Sequence, residues 1–206
     1  MKNLTKYLFG IFITASLIYA EANDIVKGVP FVEIESYGTI YTIKRDQNPN
    51  SKLTNTYART SRPSPPFFIQ PFSVTKNIET YGELEVLSFL NQKKGVFIDA
   101  RLTNWYKKSA IPGAINIPFK LFLTNTEKRR RVLIKLGAFY RNSQWNFTYA
   151  KTLLFYCNGA WCGQSPTAIR ALIKIGYPEN KMKYYRGGMQ TWQLLGLTTI
   201  VPRAEQ

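Results

Sequence analysis

Between residues 79 and 199, short apolar runs alternate with segments of helical period, and this alternation constrains the fold more than any other feature. Residues 96–100 (Val-Phe-Ile-Asp-Ala) and 152–156 (Thr-Leu-Leu-Phe-Tyr) are short, and almost wholly apolar, as in buried strands. Residues 83–92 have helical spacing with Gly95 just beyond, and residues 126–138 read as a basic helix with Val132, Leu133 and Leu136 on one side. Residues 111–118 read as a turn entering a short strand. Residues 166–175 read as a helix ended by Gly176, 182–185 as a strand, and 188–195 as a last helix stopped by Gly196. Strands and helices in this order predict an α/β fold, a parallel sheet covered by helices on both faces.

Two segments precede this unit. Lys2 and Lys6 lead an uncharged run, residues 7–19, which ends at Ala20-Glu21-Ala22. That order predicts a secretory signal over residues 1–22, cleaved after Ala22 or, as second choice, after Ala20. The run is shorter than the roughly 20 residues that span a bilayer, which weighs against a retained anchor. Export, most simply to a bacterial periplasm, is the expectation. Residues 23–75 then form an extension, with the α/β unit assigned to 76–200. Within the extension, 29–35 and 39–44 alternate apolar with polar residues around Ser36-Tyr37-Gly38, predicting a β-hairpin. Residues 45–66, rich in Asn, Ser and Pro, read as mostly irregular. No functional motif is evident there.

The chain has a formal net charge of +16, and loss of residues 1–22 changes this little. Such a surface attracts oxyanions, acidic proteins or an anionic membrane surface; for an exported protein nucleic acid is not an expected partner. The densest basic run, Glu127-Lys128-Arg129-Arg130-Arg131 with Lys135, serves equally as an anion-gathering patch or a solvated helix face. Histidine is absent and there are two cysteines, Cys157 and Cys162. These counts exclude Ser-His-Asp and Cys-His catalysis, His-ligated metals, four-cysteine zinc and a disulfide scaffold. No metal or cofactor is expected.

In open parallel sheets, ligands bind beyond the carboxyl ends of strands. Cys157 directly follows the apolar run 153–156, and Asn158, Gly159, Ala160, Trp161, Cys162, Gly163 and Gln164 lead to Ser165-Pro166, read as a helix cap and first helical residue. Two glycines let this loop curl with its N–H groups inward, an anion cradle backed by a helix N-terminus. Such a cradle favours a thiolate on Cys157 and requires no general base.

Four segments resemble the signatures of the rhodanese-like domain family. They are Val96-Phe97-Ile98-Asp99-Ala100-Arg101, Ile111-Pro112-Gly113-Ala114-Ile115-Asn116-Ile117-Pro118, Phe155-Tyr156-Cys157 with its loop to Ser165, and Arg186-Gly187-Gly188-Met189-Gln190-Thr191-Trp192. The resemblance implies a rhodanese-like fold and a sulfurtransferase. Cys157 would carry a persulfide, exchanging with a small sulfur-containing anion and a thiol acceptor. Residues 158–161 and 163–165 would cradle it, Asp99 and Arg101 would support the site, and Gly187 and Gly188 would pack.

The chain departs from the family pattern in three places. Ser109-Ala110 replaces the usual Gly-His. Ser165 stands eight positions after Cys157, two more than usual, and Gln164 replaces a basic residue. Backbone dipoles, Arg101 or a cation outside the loop must then hold an anion. The related phosphatases use Cys-x5-Arg, where this chain has Gly163, so phosphatase activity is not expected. Cys162 reads either as a small loop residue or as a resolving thiol for Cys157, and the reverse assignment stays open. A disulfide between them would need a Cα separation of roughly 4.4–6.8 Å, and the pair would then serve a thiol-redox or binding module. Trp161 either walls the pocket or packs the loop down.

Overall fold

The computed structural model describes residues 23–64 and 66–202. The predicted signal at 1–22 lies outside the described residues. No described helix is long and apolar enough to cross a membrane.

The extension opens with a hairpin, β1 (Phe31–Ser36) and β2 (Thr39–Lys44), paired antiparallel. The sequence placed Ser36 in the turn, but it pairs with Thr39. The turn is Tyr37-Gly38, both at positive φ (50° and 74°), which matches the twist of the flanking strands. Residues 45–64 and 66 are irregular as expected, apart from a short 3-10 helix at Thr56–Ala58, where Asn55 Oδ1 accepts from the Tyr57 N–H.

The remaining elements are β3 (Glu79–Tyr81), α1 (Glu83–Asn91), β4 (Val96–Asp99), α2 (Thr103–Tyr106), β5 (Ile115–Asn116), α3 (Lys120–Leu123), α4 (Glu127–Lys135), β6 (Phe139–Arg141), β7 (Gln144–Asn146), β8 (Leu153–Tyr156), α5 (Gln164–Lys174), β9 (Met182–Tyr185) and α6 (Gly188–Leu194). Five of the strands form one sheet in the order β3-β9-β8-β4-β5, with every neighbouring pair parallel.

Strand side chains alternate between two cores. Ile98, Leu153, Phe155, Met182 and Tyr184 pack with Phe122 of α3, Leu133 of α4, and Ala168, Ile169 and Leu172 of α5. Phe97, Leu154, Tyr156 and Tyr185 pack with Val86 and Phe89 of α1, Met189 and Trp192 of α6, and Ile34 and Ile43 of the hairpin. The extension is thus built into one face of the domain. Each fully buried Leu or Phe contributes roughly 1.5–3 kcal/mol, so the four consecutive buried residues of β8 anchor the strand that leads to Cys157.

One predicted helix is shorter than the sequence implied. α4 stops at Lys135, not 138, because Gly137 takes φ 86° and the Leu136 carbonyl accepts from Lys151 N. The chain then forms a second hairpin, β6–β7, turning at Asn142 and Ser143 with positive φ, which the hydrophobic pattern did not reveal.

Candidate thiol site

Cys157 follows β8 at the carboxyl edge of the sheet. The loop curls back on itself, with the Cys162 N–H donating to the Gly159 carbonyl at 2.9 Å. The helix begins earlier than the sequence implied. Gly163, at φ −81° and ψ 1°, is the N-cap; Gln164 is the first residue of α5, and Ser165 and Pro166 lie within its first turn. The nearly helical backbone of Gly163 lets the turn start there. Pro166 is tolerated because first-turn N–H groups have no partner within the helix. The first helical bond runs from Thr167 N to the Gly163 carbonyl.

The start of α6 closes the opposite side. Met189 N donates to the Cys157 carbonyl at 3.0 Å, and Gln190 N donates to the Asn158 carbonyl at 2.9 Å. Gly188 makes this approach possible. A Cβ there would lie 2.3 Å from the Cys157 oxygen, and its φ is 55°.

The two thiols are buried, at 1% and 3% exposure for Cys157 and Cys162, and both are free. Cys157 Sγ donates to the Cys162 carbonyl at 3.1 Å. Asn158 Nδ2 donates to Cys162 Sγ at 3.6 Å, and Cys162 Sγ lies 3.6 Å from Gln164 Oε1. Burial works against the thiolate expected on Cys157 from its place at the strand end. Burial pushes the Cys157 thiol well up, and the neighbouring Cys162 sulfur pushes it further; the N–H and hydroxyl of Ser165 oppose this only in part. Cys162 is pushed down, first by Cys157 beside it, against burial, and further by the N–H groups of Asn158 and Gln164 and the Asn158 amide. The cradle's donors therefore favour the thiolate on Cys162 first.

Asp99 and Arg101 lie beneath the loop as a buried ion pair, at 0% and 1% exposure. Arg101 Nε donates to both Asp99 oxygens at 2.9 and 3.0 Å, and Tyr156 OH donates to Asp99 Oδ2 at 2.7 Å. Burial alone would lower the Arg101 guanidinium, but the Asp99 carboxylate outweighs it and holds it above its ordinary value. Arg101 also donates to the Ser109 carbonyl at 2.6 Å and to Tyr57 OH at 3.0 Å.

Tyr57 belongs to the extension, in which the sequence showed no motif. The described residues between 55 and 70 form a strap across the loop. Tyr57 OH donates to Asn158 Oδ1 at 2.8 Å, and Gln190 Nε2 donates to the Tyr57 carbonyl at 2.8 Å. The Arg62 guanidinium lies 3.7 Å from the Trp161 ring centroid, and Phe67 meets the same ring edge-on at 5.1 Å. Trp161 is half-buried and donates to Gln190 Oε1 at 2.7 Å, so it packs the loop and seats the strap together. Gln70 N donates to the Ala160 carbonyl at 2.8 Å, and Arg186 clamps the Gln70 carbonyl at 2.9 Å. Arg62 thus brings a cation to a loop that has none.

The buried Tyr184 hydroxyl, near the thiols, lacks a hydrogen-bond partner in this structure. A buried unsatisfied hydroxyl costs about 1–3 kcal/mol, a cost that a ligand able to bond it would offset. Among the described residues, no cluster of three or more His, Cys, Asp or Glu could hold a metal.

The family model of the rhodanese-like domain matches residues 84–195. The chain belongs to the rhodanese-like domain family. No protein of curated function matches the sequence significantly. Among solved structures, a thiosulfate sulfurtransferase from Pseudomonas aeruginosa is 21% identical with a TM-score of 0.43, over 62% of this chain and 21% of that one. A human single-domain sulfurtransferase is 20% identical with a TM-score of 0.41, over 56% of this chain and 95% of that one. This chain therefore spans about a fifth of the Pseudomonas aeruginosa protein's length.

Within this rhodanese-like domain, the residues singled out from the sequence come together: Cys157, Cys162 and residues 158–165 form one loop, with Asp99 and Arg101 below it. Tyr57, Arg62, Gln70 and Gln190 also reach this loop, and sequence reasoning missed them. For Arg62, the missing loop cation was the one available signal, since it required a charge from elsewhere; Tyr57, Gln70 and Gln190 had none.

Proposed function

We propose that this rhodanese-like protein is a sulfurtransferase that passes sulfane sulfur through a persulfide on Cys157. The observation that carries the reading is the position of Cys157 at the carboxyl end of a central parallel strand, inside a loop closed by the first turns of α5 and α6. The Cys162 thiolate takes the proton of Cys157, and the Cys157 thiolate so formed attacks the outer sulfur of a donor such as thiosulfate. A new S–S bond forms, the donor's S–S bond breaks, and sulfite leaves with the electron pair. An acceptor thiolate then attacks the persulfide sulfur and releases Cys157 as thiolate. The unpartnered Tyr184 hydroxyl is available to the incoming sulfur, the Ser165 hydroxyl faces the Cys157 sulfur, and Arg62 at the strap supplies positive charge for the donor's anionic end. Residues 1–22 add export with cleavage, so that the mature chain begins at Asn23 or Glu21.

The test is to incubate reduced protein with thiosulfate, polysulfide or a mercaptoacid and to map the product by mass spectrometry. One added sulfur on the Cys157 peptide is expected; no uptake from any donor overturns the proposal.

The bond from the Cys157 thiol to the Cys162 carbonyl, with the influence each sulfur has on the other's ionisation, favours a second reading, a thiol-redox module in which Cys157 and Cys162 cycle as a disulfide. It requires the bond to form with a measurable reduction potential. Protein isolated without reductant and found with both thiols free rules it out.

A further inference from the structure

We infer that Tyr57, in the N-terminal extension, is a positioning residue for the Cys162 thiolate, holding Asn158 in the orientation that donates to Cys162 Sγ. An unbroken series of directed hydrogen bonds runs from Arg101 through Tyr57 and Asn158 to the Cys162 sulfur. Arg101, locked to Asp99, has no acceptor capacity and donates through Nη1 to Tyr57 OH at 3.0 Å. Having accepted that bond, the Tyr57 hydroxyl turns its proton to Asn158 Oδ1 at 2.8 Å. With its oxygen so occupied, the Asn158 amide has one orientation left, and its Nδ2 donates to Cys162 Sγ at 3.6 Å. Every donor in the series points toward the sulfur, and each bond polarises the next.

The three residues that carry the series are buried. Tyr57 is 5% exposed, Arg101 1% and Asn158 3%, so bulk water does not replace a lost link. Burial pushes the Tyr57 phenol up to about 12, so it remains a donor at neutral pH. The titratable groups that face Cys162 are Cys157 at the β8 end, Tyr57 and Arg62 from the strap, and Tyr184 from β9. Of these, Tyr57 alone is bonded to the amide that touches the sulfur. The loop's missing cation is thus answered from the fold's interior: Arg101 acts on the thiol through a residue the family match does not include.

The inference rests on the reading of residues 157–165 as a thiol site, and its test is independent of sulfur transfer. The whole protein, reduced and in sulfur-free buffer, is alkylated with iodoacetamide across a pH series, and each cysteine peptide is quantified separately. In the natural chain the Cys162 rate rises through a midpoint below that of an ordinary thiol, since only the thiolate reacts. Tyr57→Phe keeps the ring and deletes the hydroxyl. Its Cys162 midpoint is expected to rise by about one pH unit, tenfold in the ionisation constant. Asn158→Ala should shift the midpoint at least as far, and the double variant no further than Asn158→Ala alone, because both interrupt one series. An unchanged Cys162 midpoint in Tyr57→Phe overturns the inference. So does an equal shift of both thiols with loss of the near-ultraviolet circular dichroism signal, which would mark a merely structural role. Should Tyr57→Phe fail to fold, Asn158→Ala decides: an unshifted midpoint there removes the last link and the inference with it. Sulfur loading of the same variants is measured separately, so a chain that takes up no sulfur still reports its midpoint.

Discussion

The active-site loop and the strap reach the same two thiols by opposite means. Residues 157–165 are carried by local structure: a fully buried strand delivers Cys157, a helix begins at Gln164, and backbone bonds from Met189 and Gln190 hold the curve between them. The strap has almost no regular structure beyond one short 3-10 turn, and it is held by contacts one at a time, from the side chains of Tyr57, Arg62 and Phe67 and the backbone of Gln70. The loop therefore determines which atoms can react, and the strap sets the charge and proton state around them. Chemistry that depends on the loop should fail outright when the loop is altered, whereas changes in the strap should move rates and midpoints.

The largest effect is expected within the loop. Cys157→Ser should abolish sulfur loading from thiosulfate, while Cys162→Ser should load more slowly and still to completion, as followed by mass spectrometry over time. If the two variants exchange behaviour, Cys162 is the nucleophile and the acidity order of the reduced pair marks the reacting thiol. Next comes the contact that closes the loop. Gly188→Ala sets a Cβ against the Cys157 carbonyl oxygen at 2.3 Å and against Gly159 N at 2.8 Å. Both neighbours are backbone and cannot swing aside, and Gly188 already holds φ 55°. A loss of roughly 2–4 kcal/mol is expected in urea unfolding. A variant as stable as the natural chain would mean that α6 can retreat from the loop at no cost.

The same contrast explains what the sequence disclosed. The strands β4 and β8 were legible because they are continuous apolar runs buried on both faces. The three-residue strands β3, β6 and β7 were not, because pairing partners, and not their own pattern, make them strands. Ser165 was misplaced by one turn feature: Gly163 takes a nearly helical backbone, so the helix starts ahead of the Ser-Pro pair that usually marks a start. The strap was illegible for a different reason. Tyr57 meets Asn158 across 101 positions and Gln70 meets Arg186 across 116, with no period and no local motif to announce either contact. What the sequence did reveal was a deficit, a loop without charge, and the strap is where the structure supplies that charge.

The smallest and most discriminating effect is expected at Arg62. Its guanidinium covers the Trp161 ring at 3.7 Å and donates through Nη2 to the Thr56 carbonyl at 2.6 Å. As a cation over an aromatic ring at a partly exposed position it contributes about 0.5–1 kcal/mol to seating the strap. Arg62→Ala should therefore lower stability only slightly. If Arg62 also attracts the donor's anionic end, the variant should lose roughly three- to tenfold in kcat/KM for thiosulfate at low salt, mostly through KM. The deficit should shrink as salt is added, because the screening length falls to about 8 Å at physiological ionic strength. Arg62→Lys separates the two roles. It keeps the charge and gives up the planar stacking, so it should restore the salt-dependent part of the rate while leaving Trp161 fluorescence more open to quenching. A rate deficit in Arg62→Ala that is indifferent to salt, and is not relieved by Arg62→Lys, would reduce the residue to a packing contact. The strap would then act on the thiols through Tyr57 alone.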